Sequence, residues 1–305
     1  MKTQIAHALR LRDHVALMIL ASAATFACDG EAEDPKGMSD AAENNAQAEL
    51  TIELSNLESL AGGFVYEGWF LNEGGPVSAG RFNLEEGKTS ASVSIPFDAL
   101  EGATSYVLTI EPPDEEDLPE PSNTHILAGS WNGDSSELTI LDSKALGDDF
   151  SNAAGQFMLA VPTAAEEVAY SQGIWFLDPG AKVASLNLPQ LPDGWVYEGW
   201  VDGEDGPIST GRFVDPAGVD DDGPGPDAGP EDPPPFPGQD FVDPPLDLLA
   251  TETLAVISVE PEPDDSPAPF AFKPLVGNIE DLGEGELQAL ELSNNLPSGT
   301  VRLAE

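Results

Sequence analysis

The chain has 305 residues, of which 40% are hydrophobic, and its 28 prolines and 30 glycines imply cores interrupted by many turns. Its 56 acidic residues against 11 basic ones leave a net charge of −45, which excludes nucleic-acid phosphates and anionic lipid head groups as partners. Such acidity suits solubility in a salty exterior; weak Ca²⁺ association through carboxylate oxygens and a basic partner are the narrower uses, and no other cofactor is expected.

Lys2, Arg10 and Arg12 precede an apolar run from Val15 to Ala27, and the single cysteine, Cys28, follows. This is the layout of a signal peptide over residues 1–27, with an apolar run too short to span a bilayer. Cys28 stands where bacterial lipoprotein signals place the cysteine that becomes lipidated, although Thr25-Phe26-Ala27 replaces the usual Leu-Ala-Gly or Leu-Ala-Ala. Residues 28–47 have the acidic, polar composition of a flexible tether. The expectation is an extracytoplasmic protein of the cell envelope that meets the membrane only through its lipid. Ordinary cleavage near Ala23 or Ala27 would instead give a secreted protein with a lone thiol, which is unusual in an oxidising compartment.

Thr51–Leu54 opens the mature chain as an alternating strand, and Phe64–Leu71 follows, rich in aromatic and β-branched residues. The cluster Asn72-Glu-Gly-Gly-Pro76 is a turn, and Val77–Leu84 answers it, so the pair is a predicted hairpin. Ser90–Ile95, Tyr106–Ile110, Thr124–Trp131, Glu137–Leu141 and Gln156–Val161 continue the series with turn signals between them. Gly173–Leu177 is a buried strand expected to pair with Gln156–Val161. Ala184–Leu188, Trp195–Val201, Ile208–Val214 and Val256–Pro261 come next.

The later strands repeat the earlier ones. Residues 64–82 align with 195–213 without a gap at 12 identities in 19 positions, from Val65-Tyr-Glu-Gly-Trp69 and Gly80-Arg-Phe82 to Val196-Tyr-Glu-Gly-Trp200 and Gly211-Arg-Phe213. Val107-Leu-Thr-Ile-Glu-Pro112 likewise returns as Val256-Ile-Ser-Val-Glu-Pro261, and Gly129 as Gly277. The predicted fold is therefore all-β: two tandem antiparallel β-sandwich-like domains at 48–162 and 163–305. Copy two is longer by an insert at 215–245, whose Pro, Gly and Asp content predicts a mobile segment pinned at its end by Phe236 and Phe241.

Catalytic candidates are few. Beyond residue 27 the only histidine is His125, which has no counterpart in the second copy and reads as a surface or edge residue. Carboxylates are too abundant to mark a site, so recurrence is the better guide. Glu67 and Arg81 recur as Glu198 and Arg212, at hairpin spacing that puts each glutamate near its arginine, as a structural tie or as a ligand-gripping arginine. Tyr66, Trp69, Tyr197 and Trp200 are the repeated aromatic core, with stacking on a sugar or peptide as the sharper alternative. Gly68 and Gly199 suggest a bulge or close packing beneath a large neighbour. The run Asp220-Asp-Asp-Gly223 lacks EF-hand spacing, with glycine at both 218 and 229.

Tyr66-Glu-Gly-Trp-Phe-Leu71, Gly74-Gly-Pro-Val-Ser-Ala-Gly80, Val259-Glu-Pro261, Ser266-Pro-Ala-Pro269 and Val276-Gly277 together resemble the C-terminal, extracytoplasmic domain of anti-sigma-K factors. The first copy departs in the last part, with Glu111-Pro-Pro followed by Leu118-Pro-Glu-Pro-Ser122. The resemblance implies a β-rich domain outside the membrane. In that family one transmembrane helix joins it to a cytoplasmic domain that holds the sigma factor; neither part is visible in this sequence. The expected role is non-enzymatic: binding, sensing or structural, toward a protein or envelope component. The alternatives are a regulatory partner in an anti-sigma pathway, acting outside the membrane, and an enzyme acting on envelope polymers.

Overall fold

A computed structural model describes residues 47–113, 120–263 and 266–304. The signal peptide, Cys28 and all of the tether but residue 47 lie outside the described residues. In chain order the strands are β1 (Gln47–Ser55), β2 (Val65–Asn72), β3 (Gly75–Phe82), β4 (Ser90–Pro96), β5 (Ser105–Glu111), β6 (His125–Ser130), β7 (Ser135–Thr139), β8 (Gly155–Leu159) and β9 (Ile174–Trp175). They continue as β10 (Leu177–Asp178), β11 (Val183–Ala184), β12 (Trp195–Gly203), β13 (Gly206–Phe213), β14 (Gly238–Gln239), β15 (Leu254–Pro261), β16 (Leu275–Asn278), β17 (Gln288–Leu292) and β18 (Ser298–Leu303).

The architecture is all-β and antiparallel. One eight-stranded sheet runs β3-β2-β5-β6-β7-β18-β1-β4, the other β13-β12-β15-β16-β17-β8-β9-β14, and β10 with β11 forms a separate hairpin. Each large sheet curls until its edge strands approach, β3 toward β4 and β13 toward β14, so the sandwich-like expectation takes a barrel-like form. Period-two patterning drives this. In β1 the side chains of Leu50, Ile52 and Leu54 are buried while Glu49 and Glu53 face out. In β5 every residue is buried, as a central strand covered on both faces requires.

The sheets do not follow the sequence division at 162/163. After β7 the chain crosses to the second sheet, where β8 pairs with β17 and β9. After β17 it returns, and β18 enters the first sheet between β7 and β1. By position in the two sheets, β18 is the counterpart of β8, so each half lends that strand to the other. A single hydrophobic cluster accordingly joins Ile52, Tyr66 and Leu127 with Phe157, Tyr197 and Phe272.

The 215–245 insert, expected to be mobile, is instead built into the second sheet. It supplies β14, which pairs with β9. Asp240 is fully buried there: its carboxylate accepts from the Thr163 backbone N–H at 2.7 Å, the Thr163 hydroxyl, and Trp175 Nε1 at 2.8 Å. Composition missed this because one buried carboxylate with three donors outweighs the low apolar content around it.

Candidate functional site

The repeated hairpins carry the same polar device twice. Between Glu67 and Trp69 the β2–β3 register slips by one residue, and it does so again between Glu198 and Trp200 in β12–β13. Opposite each slip stands a glycine with positive φ, Gly80 at 93° and Gly211 at 104°, a conformation that a side chain would strain. The Gly80 N–H donates to Ser78 Oγ at 3.1 Å, and that hydroxyl donates to Glu67 Oε1 at 2.6 Å. Arg81 Nε donates to Glu67 Oε2 at 2.7 Å. In the second copy Gly211 donates to Ser209 at 3.3 Å, Ser209 to Glu198 at 2.5 Å, and Arg212 Nε to Glu198 at 3.3 Å. Arg212 also reaches Glu262 through Nη1 at 3.3 Å.

A second repeated relay lies in the neighbouring strand. Trp69 Nε1 donates to Thr109 Oγ1 at 3.0 Å, and Thr109 donates to Glu111 Oε1 at 2.5 Å, which also accepts the Ser122 N–H at 3.0 Å. In copy two, Trp200 Nε1 donates to Ser258 Oγ at 2.8 Å, Ser258 donates to Glu260, and the Phe270 N–H bonds that carboxylate at 2.8 and 3.1 Å. Tyr66 and Tyr197 each send the hydroxyl eight residues back, to the carbonyls of Glu58 at 2.8 Å and Pro189 at 2.6 Å. Burial pushes both phenols up, with the charge of Glu58 adding to it for Tyr66 and that of Asp148 for Tyr197. Each tyrosine also packs on the phenylalanine of its Gly-Arg-Phe, with centroids 5.7 Å apart for Phe82 and 5.6 Å for Phe213. The four sequence-predicted aromatics are thus buried, their polar ends bonded inside the fold.

The copies differ in what covers these shared parts. A Cβ on Gly68 would lie 1.9 Å from the Tyr106 hydroxyl; on Gly199 it would meet Thr210 Oγ1 at 2.5 Å and Phe176 at 3.0 Å. Over Gly80 sits Val93 of β4, while over Gly211 sit Asp220 and Asp222 of the insert. Asp220 Oδ2 accepts the Gly238 N–H at 2.7 Å, tying the start of the insert to β14 further along it. Burial chiefly, then the charges of Asp222 and Asp221, push the Asp220 carboxyl up to about 8 despite that bond; burial and Asp221 raise Asp222 as well.

Where the two sheets' β5 and β15 ends come together there is a cleft of about 320 Å³, floored by Leu60, Phe64, Ile110, Pro267 and Phe270. It adjoins a hollow of about 470 Å³ that shares Phe64, Ile110 and Pro261 and extends past Pro112 and Glu120 to Asn123. Glu58, Glu120 and Glu262 are exposed around the two, and among the described residues neither lining includes a lysine or arginine.

His125 opens β6, half-buried, with Nδ1 2.8 Å from the Lys144 carbonyl. Among the described residues no group of three or more His, Cys, Asp or Glu side chains is gathered as an ion would require, and no helix is long and apolar enough to cross a membrane. Sequence reasoning missed the indole–hydroxyl–carboxylate relay. Its signal was present: Thr109 and Ser258 both stand two residues before a repeated Glu-Pro.

Fold and site together define a duplicated all-β protein whose repeated polar residues tie strands to one another. Residues 7–125 match the family model described as anti-sigma-K factor rskA, C-terminal, so this part of the chain carries a domain similar to that one. The match runs into the start of β6. The second copy lies beyond it and is tied to the first by the internal repeat. No curated protein and no solved structure matches the chain.

Proposed function

We propose that this chain is a non-enzymatic envelope lipoprotein, anchored through a lipid on Cys28, whose duplicated β-units bind a protein or another envelope component outside the cytoplasm. The observation that carries the reading is how the repeated carboxylates are used. Glu67, Glu111, Glu198 and Glu260 are all buried and all bonded within the fold. Carboxylates held this way tie strands together; they are not poised to move a proton to or from a substrate. The leader ending just before Cys28 supports the anchor, and the likeness to an anti-sigma regulator's domain supports a protein partner.

The match over residues 7–125 favours one second reading, a regulatory partner in an anti-sigma pathway. A chain outside the membrane would enter such a pathway through a membrane protein and not by touching the sigma factor. Cell fractionation tests the anchor. The wild-type chain is expected in the membrane fraction and labelled by radioactive palmitate, and Cys28→Ala is expected to be soluble and unlabelled. A Cys28→Ala chain that stays in membranes refutes the anchor. Hydrolysis of purified cell-wall polymer, abolished by Glu260→Gln, would refute the non-enzymatic role.

A further inference from the structure

The cleft at the β5 and β15 ends sets an apolar floor within the acidic surface. Leu60 and Phe64 are half-buried and Ile110 and Phe270 buried, and Pro267 and Pro269 complete the wall. The buried carboxylate beside it, Glu260, is engaged by Ser258 and the Phe270 N–H, so the floor offers apolar contact and no free charge. The charge lies around it: Glu58 at one side, Glu120 and Glu262 on the adjoining hollow, with no lysine or arginine in either lining among the described residues. Glu262 meets Arg212 at 3.3 Å, which leaves Glu58 and Glu120 as the stronger attraction.

A volume of about 320 Å³ is at the lower end of ligand sites, ~300–1,000 Å³, and suits one or two apolar side chains. The neighbouring hollow continues the groove, so an extended segment can lie across both. A net charge of −45 draws cations toward the surface and repels anionic membranes and nucleic acids, and the rim carboxylates focus that field at an apolar anchor point.

We propose that this groove docks an extended, cationic segment of a partner protein, with an apolar side chain in the Leu60–Phe64–Ile110–Phe270 cleft and flanking lysines or arginines on Glu58 and Glu120. The proposal deepens the binding role above and rests on it.

The test uses the full chain in mild detergent and three fluorescent decapeptides, of alternating Lys and Leu, Glu and Leu, or Lys and Gly, read by anisotropy. The Lys-Leu peptide is expected to bind best. Its Kd is expected to weaken at least tenfold between 50 and 500 mM salt, and about tenfold in Glu58→Gln/Glu120→Gln and in Leu60→Gln. Circular dichroism melts of these variants, all at exposed or half-buried positions, exclude unfolding as the cause. Equal binding of the Glu-Leu peptide overturns the proposal, as does Lys-Leu binding unchanged in both variants, which would place it elsewhere on the acidic surface. Self-association of the chain that Leu60→Gln abolishes also overturns it, because a second copy would then be the occupant. Absence of peptide binding overturns the docking groove while leaving the Cys28 fractionation result standing, so the two failures are distinguishable.

Discussion

Gly299→Ala tests the exchange of strands most directly. Gly299 lies in β18 opposite Leu54 of β1. A Cβ there would come within 2.7 Å of the Glu53 carbonyl oxygen and 2.8 Å of Leu54 Cδ2, so the backbone of β1 has to move. Overpacking of this kind costs about 1–3 kcal/mol, and the lower chain entropy of alanine in the unfolded state returns about 0.4–1 kcal/mol. The expected net loss is about 1–2 kcal/mol, a fall in Tm of roughly 2–6 °C for a chain of this size. Val301→Ala in the same strand removes two methyl groups from a fully buried side chain and is expected to cost about 2 kcal/mol. Native-state hydrogen exchange locates the damage. Both variants are expected to loosen β1 and β7, the partners of β18, more than β16 and β17, which precede it in sequence. Gly155→Ala in β8, whose Cβ would lie 2.8 Å from Leu186 and 2.9 Å from Leu290, is expected to loosen β17 and β9 instead. Faster exchange in β16 and β17 on Gly299→Ala, with β1 and β7 unchanged, refutes the reciprocal exchange.

Arg81→Met removes the guanidinium from a carboxylate that is 1% exposed, a loss of about 3 kcal/mol in chemical denaturation. Arg212→Met is expected to cost less, because its bond to Glu198 is longer at 3.3 Å; equal or reversed losses would show that the length of this bond does not set the cost. Tyr106→Phe deletes a buried hydroxyl without a hydrogen-bond partner among the described residues, and is expected to leave stability unchanged or raise it by up to about 1 kcal/mol. Asp220 titrates near 8 in the folded chain against an unfolded value near 4, so between those values the folded state binds the extra proton. Stability therefore falls as pH rises from about 4 to 8 and levels off above, and Asp220→Asn is expected to be the more stable form at pH 8 and to flatten the slope. Parallel Tm–pH curves for the two proteins would remove Asp220 from the account.

The repeated block exposes the hairpin geometry because short-range constraints set it. The turn sets the register from Asn72 opposite Gly75 up to Trp69 opposite Ser78, and the one-residue slip beyond it then puts Glu67 opposite Arg81, as its counterpart puts Glu198 opposite Arg212. Gly68 and Gly199 likewise signal a close approach, although not that Tyr106 fills it in one copy and Phe176 in the other. Sheet membership is a different kind of information. β8 and β18 have the same alternating character as their neighbours, and nothing in a strand of five or six residues states which curled sheet it will close. The exchange is a choice between equivalent edges that only the assembled core makes.

The insert shows the same limit from the opposite side. Composition over 215–245 is that of a mobile segment, yet Asp220 and Asp240 fix it at β14 through Gly238, Thr163 and Trp175. In the first copy Val93 of β4 packs over Gly80; in the second, with only the two-residue β14 at that edge, Asp220 and Asp222 lie over Gly211. The second copy has therefore exchanged an apolar closure for a carboxylate one whose protonation sits near 8. A duplicated unit kept for its fold alone would have little reason to carry a titrating closure in one copy only. The copies differ at that edge while the Tyr-Glu-Gly-Trp hairpins keep the same bonds, which separates parts that hold the fold from a part open to function.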